Sequence, residues 1–123
     1  MHYTVFGSTG RIGSYLTKFL IFEGHIVNTP KREEYYNLKN NLGHVIYCNG
    51  VTKNFKSRPF DTIQSHVCLL LHLLNENNFE SFNYLSSTRL TFPKKSKIIK
   101  FGPDIYGDYE IDIYNASKLA GET

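Results

Sequence analysis

The hydrophobic pattern changes period several times along this chain. Tyr3-Thr4-Val5-Phe6 is a short, β-prone run stopped by Gly7, the pattern of a buried parallel strand. Ile12, Tyr15, Leu16, Phe19 and Leu20 then recur at helical spacing, and Gly24 closes that segment. His25-Ile26-Val27 restarts as a second strand. Strand, glycine loop, helix and strand within about 30 residues make a βαβ unit, whose crossover is almost always right-handed. The polar stretch Pro30 to Leu42 follows, with a short helix expected around Glu33 to Lys39. His44-Val45-Ile46-Tyr47-Cys48 reads as a strand closed by Asn49-Gly50. Pro59 stands where a helix can begin, with Ile63, Val67, Leu70, Leu71 and Leu74 as its apolar face. Phe82-Asn83-Tyr84-Leu85 reads as another strand running into Ser86-Ser87-Thr88, and Ile98-Ile99 leaves a further brief strand open. Ile113 to Glu122 starts like a helix.

Strands alternating with helices, without repeats or low-complexity linkers, specify one α/β domain over residues 1–123, with a doubly wound parallel sheet. Ligands of such sheets bind beyond the carboxyl ends of the strands. Gly7 to Gly13, Asn49-Gly50 and Ser86-Ser87 all follow directly on predicted strands, which makes them the first candidates for a site.

Composition narrows the function classes. Hydrophobic residues at 41% and charged residues at 20% exclude a disordered chain, and the 15% aromatic share, all Tyr and Phe, points to a packed interior. A net charge of +3, with only Lys31-Arg32 and Lys94-Lys95-Lys97 as basic groupings, argues against a nucleic-acid partner. The longest apolar run, Val67 to Leu74, contains His72 and falls far short of the roughly 20 residues of a membrane helix. Gly7 interrupts the first apolar stretch at once, so no leader and no membrane association is expected. Cys48 and Cys68 lie in apolar runs without metal-ligand spacing. They are expected to be buried free thiols, with no metal, in a cytoplasmic protein.

Glycine at 7, 10 and 13 allows a tight turn and lets backbone N–H groups approach a pyrophosphate, toward which the next helix points its positive end. The spacing G-x-x-G-x-x-G is one residue longer than the dinucleotide fingerprint, and no NTPase P-loop is present. The expected cofactor contacts are Gly7, Ser8, Thr9, Gly10, Arg11, Ile12 and Gly13. After the second strand comes Asn28-Thr29-Pro30-Lys31-Arg32, with no acid before Glu33. A carboxylate there repels a 2′-phosphate, whereas Lys31 and Arg32 can pair with one, so NADP(H) is expected ahead of NAD(H). Finally, Tyr114 and Lys118 stand four apart on one helical face. A neighbouring ammonium favours a phenolate, which suits Tyr114 to general acid/base work on a hydroxyl or carbonyl oxygen, with Lys118 on the nicotinamide ribose.

These segments resemble the extended short-chain dehydrogenase/reductases, the NAD-dependent epimerase/dehydratase group. The resemblance is carried by Gly7-Ser-Thr-Gly-Arg-Ile-Gly13, Val45-Ile-Tyr-Cys-Asn-Gly-Val-Thr52, Tyr84-Leu-Ser-Ser-Thr-Arg-Leu90 and Tyr114-Asn-Ala-Ser-Lys-Leu-Ala-Gly-Glu122. It implies a Rossmann-like fold and a catalytic set of Ser87, Tyr114 and Lys118. In that set Ser87 holds the substrate oxygen, Tyr114 exchanges its proton and the nicotinamide exchanges a hydride. It implies further cofactor contacts from Lys31, Arg32 and the backbone at Asn49-Gly50, and a nucleotide-sugar substrate of the kind used in polysaccharide biosynthesis. It also implies a homodimer formed through helices that include the Tyr-Lys helix.

The sequence departs from that pattern in four places. Between Arg32 and His44 there is too little chain for the usual third strand and helix. Leu90-Thr91-Phe92 replaces a Val-Tyr-Gly turn. His66 stands where the group often has an Asn that supports the active site, and a structural role is the expectation for it. The sequence stops at Thr123, so the resemblance implies a fold incomplete at its C-terminus, without the substrate-binding region, and little turnover from these residues alone. The absence of an Asp-Glu pair after Ser87 makes dehydration the least expected outcome. The alternatives are a module that senses NADP(H) without chemistry, favoured by the missing substrate region, and an inactive enzyme fragment.

Overall fold

The structure is a computed structural model that describes residues 1–39, 41–87 and 113–123. Four strands form one parallel sheet: β1 (His2–Phe6), β2 (Ile26–Asn28), β3 (His44–Tyr47) and β4 (Ser81–Tyr84), in the order β2-β1-β3-β4. The helices are α1 (Arg11–Phe22), α2 (Pro59–Ile63), α3 (Leu69–Glu76) and α4 (Ile113–Glu122), and a π-helical turn, Gln64–Cys68, joins α2 to α3. This is the α/β, Rossmann-like architecture expected from the alternation of patterns. The Ile98-Ile99 strand and the Leu90 to Phe92 turn lie outside the described residues.

Register decides what the core contains. Phe6 pairs with Tyr47 and Tyr47 with Tyr84, while Thr4 pairs with Val45 and Val45 with Phe82. Alternate residues of a strand share a face, so these six line one side of the sheet. Leu69, Leu70 and Leu73 of α3 close over it, joined by Tyr35. Tyr47 stacks on both Phe82 and Tyr84 with ring centroids 6.0 and 5.9 Å away. Thr4 keeps its place in this layer because its hydroxyl donates to the Leu42 carbonyl at 2.7 Å.

Residues 32–37 form a single 3₁₀ helix, Arg32–Asn37, in place of a third strand and helix, and β2 is left as the sheet edge. The expected helix at Glu33 to Lys39 is therefore shorter and tighter than its pattern. Glu34 accepts from the Lys31 N–H at 2.6 Å, fixing the entry to this turn.

Two helices bury a different face from the one their apolar spacing indicated. On α2 to α3 the buried side chains are Thr62, His66, Leu69, Leu70 and Leu73, whereas Ile63, Leu71 and Leu74 are exposed. The buried face is centred one residue earlier, about 100° around the helix. Apolar periodicity cannot see this, because Thr62 and His66 are buried with their polar atoms hydrogen-bonded. On α1 Gly13 and Leu20 are buried, while Ile12, Tyr15 and Phe19 face outward. The cysteines are free, but the expectation of burial fails: Cys48 is half-buried at the end of β3 and Cys68 is exposed on the outer side of the π turn.

Among the described residues no helix is long and apolar enough to cross a membrane, and no three His, Cys, Asp or Glu side chains are grouped to hold a metal ion.

Candidate cofactor and catalytic site

The glycine loop is fixed by close backbone approach. Gly7 has φ +78°, and a Cβ there would lie 2.9 Å from the Asn49 nitrogen and the Cys48 carbonyl group. A Cβ on Gly13 would overlap the Gly7 carbonyl oxygen, so the first turn of α1 can press against the loop only as glycine. The Gly10 N–H donates to the Gly7 carbonyl at 3.0 Å. Gly10 precedes α1 with no side-chain cap, which leaves the orphan N–H groups of that turn for a ligand or water. The Gly7 N–H donates to the Tyr35 hydroxyl at 3.2 Å, and the Tyr35 ring packs edge-on against Phe6. The 3₁₀ helix that replaces the third strand thus anchors the loop.

A cavity of about 460 Å³ opens over this loop, lined by Gly7, Ser8, Thr9, Lys31, Arg32 and Asn49 together with Thr29, Pro30, Glu33 and Tyr35. A smaller one adjoins it, sharing Arg32, Tyr35 and Asn49 and reaching Arg58 and Gln64. Of the expected loop residues, Gly10, Arg11, Ile12 and Gly13 line neither cavity, and Arg11 and Ile12 are exposed on the first turn of α1. Gly50 belongs to a second group. A Cβ on it would sit 3.0 Å from His66 Nε2 and 3.6 Å from Lys118 Nζ.

That second group surrounds α4. Lys118 is 5% exposed, and its ammonium donates to the Leu85 carbonyl at 2.9 Å, 4.7 Å from the centroid of the Tyr84 ring. Burial lowers its pKa to about 8, against an opposing pull from Cys48 and Glu122. Burial raises the Cys48 thiol, and Lys118 works in the other direction there. Burial also pushes Tyr84 up to about 12, assisted by Glu122 and Tyr114. Tyr114 is buried, with its ring 5.3 Å from His66, edge to face, and 5.5 Å from Phe55. Ser87 is half-buried and lies two residues beyond the Leu85 carbonyl that holds Lys118. The neighbouring Ser86 hydroxyl bonds to Glu122, tying the segment after β4 to the end of α4.

Three functional candidates are only partly legible in the sequence. Tyr35 lies in an aperiodic polar stretch, and Tyr84 looked like one more strand aromatic. His66 stands where the resembled group often has an Asn that supports the active site, but its complete burial is not legible in the sequence.

No protein-family model and no curated protein matches this sequence. Solved structures do match. One is a short-chain dehydrogenase/reductase superfamily protein from Agrobacterium tumefaciens with bound NAD, at TM-score 0.77 and 16% identity. The match covers 99% of this chain and 43% of that one. Another is a mutant of the UDP-glucuronic acid 4-epimerase of Bacillus cereus, in complex with UDP-4-deoxy-4-fluoro-glucuronic acid and NAD, at TM-score 0.69 and 14% identity. It is matched over 99% of this chain and 50% of that one. The present chain therefore spans half or less of the structures it matches. It shares the α/β fold of the matched parts of these two structures.

Proposed function

We propose that this chain is the cofactor-binding part of an NAD(P)-dependent oxidoreductase or epimerase that acts on a nucleotide-sugar. The observation that carries the reading is the position of Lys118. A buried ammonium sits on the Leu85 carbonyl at the end of β4, one helical turn from Tyr114 and beside Gly50, at the sheet end where the glycine loop opens its cavity. The two neighbours support it, one with bound NAD and the other an epimerase with NAD and a UDP-sugar analogue.

The residues present fit a dinucleotide. The glycine cradle leaves no room for side chains, and the uncapped first turn of α1 offers N–H groups to a pyrophosphate. Ser8, Thr9 and Gly10 would hold the phosphates, and the Asn49-Gly50 backbone would follow the cofactor across the sheet. Lys118 would bond the nicotinamide ribose. When bound, the nicotinamide supplies hydride exchange. Ser87 would hold the substrate oxygen while Tyr114 exchanges a proton with it, one helical turn from Lys118. Lys31 and Arg32 line the cavity and would pair with a 2′-phosphate there, hence the proposed preference for NADP(H). Glu33 lines it too, which keeps NAD(H) within the proposal. A homodimer is part of the same reading, supported by the exposed apolar row Phe60, Ile63, Leu71 and Leu74 along α2 and α3.

Fluorescence titration with NADPH and NADH tests the cofactor reading. NADPH is expected to bind more tightly, and Arg32→Ala to remove about tenfold of that affinity while leaving NADH nearly unchanged. Equal affinities would end the NADP(H) preference, and no binding of either would end the reading. Tyr114→Phe in the complete protein is expected to bind cofactor normally and lose turnover, whereas a cofactor sensor would keep its function.

A further inference from the structure

We propose that His66 is a positioning residue: as a neutral imidazole with its proton on Nδ1, it sets the helix of Tyr114 and Lys118 in register with the Gly50-Val51 loop. The functional part of this rests on reading that loop and helix as the cofactor and proton-transfer site. The bonding part stands on its own.

His66 is completely buried within the π-helical turn, a distortion that recurs where a helix serves a site. The Val51 backbone N–H donates to its Nε2 at 3.1 Å. A ring nitrogen that accepts carries no proton, so the single proton of a neutral imidazole is on Nδ1. Nδ1 faces the Ser117 hydroxyl at 2.7 Å, and that hydroxyl donates onward to the Tyr114 carbonyl at 3.1 Å. Every member then has one role, and the bonds run in one direction, from Val51 through His66 and Ser117 to Tyr114. A second proton on the ring would set N–H against N–H at Val51 and break the first link. Burial disfavours that proton, and so does the charge of Lys118. The Tyr114 ring meets the imidazole edge to face, and a Cβ on Gly50 would come within 3.0 Å of Nε2, so loop, imidazole and helix fit without slack. A residue that only filled space would need neither a donor toward one element nor an acceptor toward the other.

Two substitutions separate the links. Asn places its amide N–H as many bonds from Cα as Nδ1, and can keep Ser117 while abandoning Val51. Gln places its amide oxygen as far out as Nε2, and can keep Val51 while abandoning Ser117. In the wild-type chain, the imidazole nitrogen-15 spectrum near pH 7 is expected to show the neutral Nδ1–H tautomer. An Nε2–H tautomer or a charged ring overturns the proposal. Exchange of the Val51 amide with heavy water is expected to stay within about threefold of wild type in His66→Gln and to rise at least about tenfold in His66→Asn. Dinucleotide affinity is expected to fall in the same order. Equal Val51 exchange in the two variants, or affinity that ignores it, overturns the positioning role. If the wild type binds neither NADH nor NADPH, the cofactor reading fails, and the tautomer and Val51 exchange still decide the bracket.

Discussion

Replacing Lys118 with Met should make the protein more stable at neutral pH while removing its proposed contact to the cofactor. The lysine is 5% exposed and its pKa is about 8, against an ordinary value of 10.5. Holding the ammonium charged in the folded chain at pH 7 therefore costs about 3 kcal/mol relative to the unfolded chain. Met has similar length and carries no charge, but it leaves the Leu85 carbonyl without its donor, which takes back about 1–3 kcal/mol. The net gain at pH 7 is then about 0–2 kcal/mol, and the pH dependence is the sharper quantity. Between pH 8 and 10.5 the unfolded chain binds more protons at this site than the folded one, so wild-type stability rises with pH across that window. Lys118→Met lacks that rise. The advantage of the variant should shrink by about 3 kcal/mol from pH 8 to above 10.5, in urea unfolding of both proteins under matched buffers. Titrations of groups on which Lys118 does not act cancel in the difference, and Cys48, on which it does act, is replaced by Ser in both proteins. A gap that stays constant across the window would show that Lys118 is not buried as a charge, and would remove the observation on which the proposed function rests.

Gly13→Ala brings a Cβ onto the Gly7 carbonyl oxygen, so the loop or α1 must shift; urea unfolding should show a loss of about 1–3 kcal/mol despite the better helix propensity of Ala. Tyr35→Phe keeps the ring on Phe6 but frees the Gly7 N–H, and should weaken dinucleotide binding by about three- to tenfold with a change in melting temperature of only a few degrees. His66 has its pKa lowered to about 4 from an ordinary 6.5, chiefly by burial. Its contribution to stability is present above pH 6.5 and is lost as the pH falls toward 4. The loss amounts to about 3 kcal/mol in acid-range urea unfolding and should be absent from His66→Gln.

The parts of this molecule that were readable in the sequence share one physical property, which is that local chemistry alone decides them. Gly7 and Gly13 are required by backbone approach, whatever packs elsewhere, and Tyr114 and Lys118 share a face because any α-helix aligns residues four apart. The parts that were not readable depend on partners distant in the chain. His66 could not be assigned to the buried face of the π turn, because its burial is tolerable only once Ser117 and Val51 supply hydrogen bonds. Tyr35 could not be assigned to the glycine loop, since its hydroxyl reaches Gly7 across 28 positions of sequence. The shortened connection from Arg32 to His44 was legible as a missing strand, but its consequence was not. By deleting a strand the chain brings a 3₁₀ turn against the loop, and a tyrosine then ties down an N–H that no helix cap reaches. The site is thus assembled from two kinds of residue, those that local geometry demands and those that only the closed fold makes affordable. The second kind is where substitution should change function without changing the fold.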